Sequence, residues 1–244
     1  MRVKLSVCIP FYNEKAIIES SARTLISYLN EHFANDYELI FSDDGSTDGS
    51  AEQIRALNLP DVRVIGQGIN RGKGAAVRDA VLAANGEIIL FTDADLAYGT
   101  DVIGEIVALF ESRPDTDLII GSRNLAKNGY KGYPLWRKIA SKLYFKILSL
   151  VGGLRQTDSQ CGCKAFRNSV AKEIFKRCEV DGFAFDLEVL LWAKELQFQT
   201  TEIPVQVLYH GTSKIHLLRD SFKMLHDLSR IRRSVRRKKR AEEL

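Results

Sequence analysis

Two aspartates one residue apart, Asp93-Ala94-Asp95, follow directly on an apolar run at 87–92. Carboxylates at that spacing, on a turn leaving a strand, can share a hard divalent ion. Mg²⁺ takes one or two carboxylates and leaves its other positions to water and phosphate oxygens. A cation held this way stabilises charge building up on a diphosphate leaving group. Two more polar clusters follow apolar runs: Pro10-Phe11-Tyr12-Asn13-Glu14 and Asp43-Asp44-Gly45-Ser46-Thr47-Asp48. Acids gathered at one place repel each other unless a cation or a donor-rich ligand neutralises them. The plainer alternative makes the Asp-rich turns helix N-caps, a use to which Ser46 and Asp48 are suited.

The stretch Asn70-Arg71-Gly72-Lys73-Gly74-Ala75-Ala76 leads into a helical pattern. Small residues at a helix start are expected to let phosphate or sugar hydroxyls approach backbone N–H groups. Lys73 is then either a donor-binding cation or a solvated lysine at the helix start. The stretch lacks the Gly-x-x-x-x-Gly-Lys-Ser/Thr pattern, and no strand runs into Gly-x-Gly-x-x-Gly. Both absences count against a P-loop nucleotidase or a dinucleotide oxidoreductase.

Positioning these clusters requires a sheet. Apolar runs at 5–10, 37–42, 62–65, 87–92 and 118–121 alternate with amphipathic stretches at 16–33, 50–57, 74–84 and 102–112. Strands alternating with helices imply parallel βαβ units in one α/β sheet. Open α/β sheets bind ligands beyond the carboxyl ends of their strands, which is where the three acidic clusters fall. The second half is less regular. It holds a basic helix at 134–151, a polar loop with Asp158-Ser159-Gln160, a helical stretch, Phe185-Asp186-Leu187-Glu188, and a strand-like segment at 201–208. Asp186 and Glu188 also suit a helix N-terminus, where the dipole favours acids.

The chain has 244 residues, 45% hydrophobic, with a net charge of +4 that is unevenly spread. Ten Lys or Arg and two acids lie between Arg219 and Arg240, so the remainder is slightly acidic. A local basic tail points to an anionic partner, either lipid head groups or nucleic acid. Cys8, Cys161, Cys163 and Cys178 fit no zinc-finger spacing and read as reduced thiols, and His32, His210, His216 and His226 show no paired ligand spacing. A secretory leader and a membrane-spanning run are not expected from the pattern.

In order along the chain, the three acidic clusters, Arg71-Gly72-Lys73-Gly74 and Gly121-Ser122-Arg123 resemble the GT-A glycosyltransferases of family 2. Asp158-Ser159-Gln160-Cys161-Gly162-Cys163-Lys164, Phe185-Asp186-Leu187-Glu188 and Ser213-Lys214-Ile215 are most similar to polyprenyl- and dolichyl-phosphate sugar synthases, the glucosyl branch ahead of the mannosyl. The resemblance implies a Rossmann-like GT-A fold, mostly parallel and flanked by helices, over residues 1–215, with a basic amphipathic helix and tail at 216–244. It implies inverting hexosyl transfer from a UDP- or GDP-sugar to a polyprenyl phosphate, with Mg²⁺ or Mn²⁺ held by Asp93 and Asp95. Pro10, Tyr12 and Glu14 would border base and ribose, Asp44 would read the base, and Asp43, Lys73 and Ala94 would complete the donor set. Arg123 and Lys214 would meet donor or acceptor phosphates, with Gln160 beside them.

The acceptor has a chemical argument of its own. A phosphate monoester is largely ionised near neutrality, its second pKa being about 6. Such a nucleophile needs positioning and cations, which Arg123, Arg137 and Lys214 can supply. An alcohol acceptor on a glycolipid or soluble glycan instead requires a carboxylate base, for which Asp158 and Asp186 are the candidates. The catalytic set is therefore Asp93, Asp95, Arg123, Asp158 and Asp186. The helix at 134–151, with Trp136 on an apolar stripe and Arg137, Lys138, Lys142 and Lys146 away from it, has the pattern of an interfacial helix. With the basic tail it predicts a cytoplasmic enzyme at the cytoplasmic face of a membrane. A nucleic-acid-binding module is the rival of another class, and it leaves the acidic clusters unexplained; nucleic acid is not the expected partner.

Overall fold

A computed structural model of the chain describes residues 3–34, 36–66, 68–127, 129, 152–208 and 217–242. The predicted helix at 134–151, with Arg137, and the predicted phosphate contact Lys214 lie outside them. The elements run β1 (Leu5–Phe11), α1 (Ile18–Phe33), β2 (Tyr37–Asp43), α2 (Ser50–Arg55), β3 (Val62–Gly66), α3 (Lys73–Ala83), β4 (Ile88–Phe91) and α4 (Asp101–Ser112). Then come β5 (Leu118–Ser122), β6 (Lys164–Arg167), α5 (Asn168–Phe175), α6 (Phe185–Glu195), β7 (Thr200–Pro204) and α7 (Leu217–Glu242).

The strands form one seven-stranded sheet in the order β3-β2-β1-β4-β6-β5-β7. β1 to β4 pair in parallel, as do β5 and β7, while β6 is antiparallel to both β4 and β5. The sheet is thus the mostly parallel GT-A sheet expected, with one strand reversed.

Strand residues alternate between two apolar layers, as a period of two requires. Leu5, Val7, Ile9, Leu39, Phe41, Leu90 and Ile119 face one layer, built from α1, α2 and α4. Cys8, Ile40, Ile89, Phe91, Ile120 and Phe166 face the other, built from α3, α5, α6 and α7. In α1 the buried residues Ile18, Ala22, Leu25 and Leu29 recur at helical spacing, so one stripe of the helix meets the sheet. Each such Ile, Leu, Val or Phe contributes about 1.5–3 kcal/mol on full burial. Helix α7 belongs to the second layer through Leu228, Ile231 and Val235.

Register decides where the site lies. Phe11 pairs with Asp43, and Cys8 with Phe91, so β1, β2 and β4 end at one edge of the sheet. Because β6 is antiparallel, its first residue, Lys164, pairs with Phe91 and with Ile120. The loop entering β6 and the chain leaving β5 therefore reach that same edge. The polar cluster at 158–163 is delivered to the acidic turns by strand reversal.

Candidate active site

The turn after β2 is held by its own aspartates. Asp43 Oδ1 accepts the Ser46 N–H (2.8 Å), and Asp48 accepts the N–H groups of Lys15 (2.9 Å) and Ser50 (3.0 Å). Asn13, at a φ of 53°, takes the Thr47 N–H on its side chain (2.8 Å) and donates its own N–H to Ser46 Oγ (2.9 Å). The first two clusters are thereby one hydrogen-bonded unit. Glu14, partly buried, donates its N–H to Ser50 Oγ at 3.0 Å. Pro10 is buried within β1, and Tyr12 is 41% exposed at the mouth of the site.

Asp44, expected to read the base, also accepts from the backbone. Its Oδ1 accepts the N–H groups of Arg71 (2.8 Å) and Gly72 (2.9 Å), and it is 7% exposed. It closes the 68–72 loop against the β2 turn. Gly45 makes that approach possible, since a Cβ there would stand 2.6 Å from the carbonyl carbon of Ile69.

The glycines at the start of α3 differ from expectation. A Cβ on Gly72 would meet Asp181 O at 2.5 Å, and one on Gly74 would meet Val180 O at 2.5 Å. Gly74 N–H donates to Asp181 O (2.7 Å), and Ala75 N–H is shared between Gly72 O and Asp181 O. These residues are small so that the 180–185 segment can pack on the helix start. Of the N–H groups in the stretch predicted to meet phosphate, those of Arg71, Gly72, Gly74, Ala75 and Ala76 are used by the protein.

Lys73 points into the acidic edge. Its Nζ lies 2.5 Å from Asp93 Oδ1, in a partly buried pair. Burial alone would lower its pKa; the carboxylates of Asp93, Asp186 and Asp95 outweigh burial and hold it above the usual lysine range. Asp93 is boxed on its other side, because a Cβ at Gly162 would fall 2.0 Å from Asp93 Oδ2. Ala94 is buried between the two acids. Asp95 Oδ1 accepts the Ala97 N–H (3.1 Å), and no cation is paired with Asp95 among the described residues. Burial, and then the adjacent Asp93 charge, push its carboxyl above the usual range.

Among the described residues no three His, Cys, Asp or Glu side chains converge as a closed metal cage. The donor set fits an open site: two nearby hard carboxylates that disfavour each other's charge, with positions left for phosphate oxygens. Asp95 carries the more available oxygens and Asp93 the less available ones.

The acids on the other side of the edge are all paired. Asp158 is fully buried and receives Arg123 Nε (2.6 Å), Nη2 (2.8 Å) and backbone N–H (3.1 Å). Such a bidentate fork fixes the guanidinium plane. Asp186 Oδ1 lies 2.5 Å from Lys164 Nζ, and that ammonium also donates to Cys161 O (2.7 Å). Burial raises the Asp186 carboxyl, against the opposing pull of Lys164 and Lys73. Glu188 accepts the N–H groups of Glu179 (2.9 Å) and Val180 (2.8 Å), fastening the segment that covers α3. Both acids sit in the first turn of α6, as the helix-start reading has it. Gln160 is partly buried beside this group. Among the described residues the Ser159 hydroxyl and Asn124 Oδ1 are buried with no hydrogen-bond partner, an arrangement that calls for a ligand or water.

Three residues were missed at the sequence level. Lys164, fully buried, is the counter-ion of Asp186. Gly162 shapes the space around Asp93, and the buried Tyr98 accepts the Gly162 N–H at 3.2 Å. Lys164 closes the Asp158–Lys164 motif, and a lysine heading the apolar Ala165-Phe166 pair is the sequence signal that marks it. The four cysteines are free and buried; burial and the nearby Asp158 push the Cys161 thiol up to about 11, so it stays protonated near neutrality.

Residues 6–175 match the family model described as glycosyl transferase family 2. The chain belongs to that family. It is a glycosyltransferase of the hexosyl-transferring kind, resembling dolichyl-phosphate sugar synthases. A dolichyl-phosphate beta-glucosyltransferase of Saccharomyces cerevisiae is 34% identical over 247 residues, covering 93% of this chain and 74% of the yeast protein. One from Trichomonas vaginalis is 31% identical over 234 residues, covering 91% of this chain and 69% of that protein. Among solved structures, glucosyl-3-phosphoglycerate synthase from Mycobacterium tuberculosis in complex with Mn²⁺, UDP-glucose and phosphoglyceric acid superposes with a TM-score of 0.68. That likeness, at 18% identity, covers 96% of this chain and 79% of the other, and it carries the fold. No helix among the described residues is long and apolar enough to cross a membrane.

Proposed function

We propose that this family 2 enzyme transfers glucose from UDP-glucose to a polyprenyl or dolichyl phosphate, with inversion, at a membrane surface. The observation that carries the acceptor assignment is the state of the two candidate bases. Asp158 is locked to Arg123 and Asp186 to Lys164, both pairs buried or nearly so. An acceptor hydroxyl needs a free carboxylate base; a phosphate monoester, already ionised, does not. The acceptor oxygen attacks the anomeric carbon as the bond to the nucleoside diphosphate breaks, and no proton has to be removed. Arg123, held planar by Asp158, is the cation assigned to the acceptor phosphate, and Ser159, which follows Asp158 in the chain, has a buried hydroxyl with no partner among the described residues. The names of the yeast and Trichomonas relatives support glucose and a dolichyl phosphate, and identity to them runs beyond the end of the family match at residue 175.

Asp95, with Asp93 behind it, would hold Mg²⁺ or Mn²⁺ against the diphosphate. A cation there would neutralise charge on the departing nucleotide. Tyr12, Glu14, Pro10 and Asp43 are assigned to the base and ribose side. The basic segment at 216–244 is assigned to membrane contact. On α7 the residues Arg233, Arg237 and Arg240 are exposed, as are Arg230 near Asp227 (3.5 Å) and Arg236 near Glu195 (3.8 Å), whereas Lys238 turns to Glu179 (2.7 Å) and Lys239 to Glu195 O (2.5 Å). Each outward charge contributes about 1 kcal/mol on an anionic leaflet.

The test is a product assay with UDP-glucose and GDP-mannose, each with a short polyprenyl phosphate, with divalent cation supplied or chelated. Glucosyl lipid from UDP-glucose, lost on chelation, is the expected product. Mannosyl lipid as the main product, or full activity under chelation, overturns the donor or the metal assignment respectively.

A further inference from the structure

Lys73 and a divalent cation want the same place. The ammonium lies 2.5 Å from Asp93 Oδ1, and the Gly162 backbone occupies the space beside Oδ2. Asp93, its side chain 30% exposed, thus offers a cation either the oxygen it already shares with the Lys73 ammonium or the one packed against Gly162. The ammonium is also the charge that makes the edge tolerable, since Asp93, Asp186 and Asp95 all act on it. Asp186 has its own partner in Lys164, and Asp158 has Arg123. Asp93 and Asp95 therefore depend on Lys73 for neutralisation among the described residues. A dication placed between those two acids would stand beside a third positive charge, and like charges at such range oppose each other. The conflict is relieved when Lys73 acquires another anion, which a nucleoside diphosphate brings.

We infer that Lys73 is a built-in counter-cation that keeps Asp93 closed to metal until a diphosphate draws it away. Metal and nucleotide then bind with positive coupling through this residue, in addition to direct contact between them. Coupling is reciprocal, so Lys73 also gates nucleotide binding on the metal. The inference rests on the metal-dependent reading above, and it assigns Lys73 a positioning role rather than a place among the reacting atoms.

The experiment measures free Mn²⁺ by electron paramagnetic resonance, for the wild type and for Lys73→Met, Lys73→Gln and Lys73→Arg, with and without UDP. Thermal unfolding of each variant checks the fold. The neutral variants are expected to bind Mn²⁺ without nucleotide on the order of tenfold tighter than wild type, and to gain less from UDP. Lys73→Arg, which keeps the charge, is expected to stay near wild type without nucleotide. A lysine serving only structure would leave Mn²⁺ binding unchanged or weaken it on removal, and that result in either folded neutral variant overturns the inference. If the wild type binds no Mn²⁺ even with UDP, the metal reading itself fails. If wild-type binding is intact and the neutral variants show no gain, the gating idea alone is overturned.

Discussion

The two sides of the sheet edge treat their acids in opposite ways. On the donor side, Asp93 and Asp95 are partly exposed and disfavour each other's charge, with Lys73 paired to Asp93 and acting on Asp95 only at longer range. On the acceptor side, Asp158 and Asp186 are buried and each is matched to its own cation. The first arrangement is costly alone and becomes favourable when a cation arrives; the second is already complete. The difference teaches that carboxylates of one enzyme divide into those kept for a ligand and those used to aim positive side chains at one.

Substitutions sharpen this contrast by separating activity from stability. Asp95→Asn removes a ligand-facing charge, and sugar transfer should fall about a thousandfold, roughly 4 kcal/mol in the barrier. Its thermal unfolding should stay level or rise, because repulsion with Asp93 is relieved; a marked loss of stability would break the comparison. Asp158→Asn should do the reverse in stability. It leaves the Arg123 guanidinium, 18% exposed, facing a neutral amide, and should cost about 3 kcal/mol in denaturant unfolding, the low end for a broken buried pair. Gly162→Ala joins the two sides, since its methyl group must displace Asp93. We expect about 2 kcal/mol of overpacking, read as a raised Mn²⁺ requirement for transfer.

A group far from the edge provides the control. Glu38 accepts Ser6 Oγ (2.6 Å), the Asn85 N–H (2.5 Å) and Arg63 Nη2 (2.7 Å). Burial alone would raise its carboxyl; these donors outweigh burial and hold it below its usual 4.5. Its folded pKa is therefore below the unfolded one. The stabilisation it gives is complete above the unfolded value and fades as pH falls through the folded one. Glu38→Gln should lower stability by about 1–2 kcal/mol at neutral pH, by less in acid, and leave sugar transfer unchanged.

The donor half was legible because its signals are local. Each strand from β1 to β4 carries a short apolar run, each helix a 3.6-residue stripe, and each acidic turn follows its strand in sequence. The acceptor half was not, for a physical reason: its key pairings join distant segments. β6 is four residues long, begins with a buried lysine and pairs with β4 and β5 across large loops, so no window of sequence marks it. Asp158 read as a free carboxylate because nothing nearby in sequence announces Arg123 as its partner. The glycines at 72 and 74 misled in another way. The same small residue serves a phosphate approach and a close chain crossing, and the 180–185 segment uses it for the crossing.

The central claim is that this site serves an acceptor that needs no base. The most direct measurement is kcat/KM with UDP-glucose for a short polyprenyl phosphate and for its parent alcohol, from about pH 5 to pH 8. The rate with the phosphate should rise as the acceptor loses its second proton near pH ~6 and then level off, while the alcohol should give no product. Glucosylation of the alcohol at a comparable rate would contradict the account, because it would require Asp158 or Asp186 to leave its cation and act as a base.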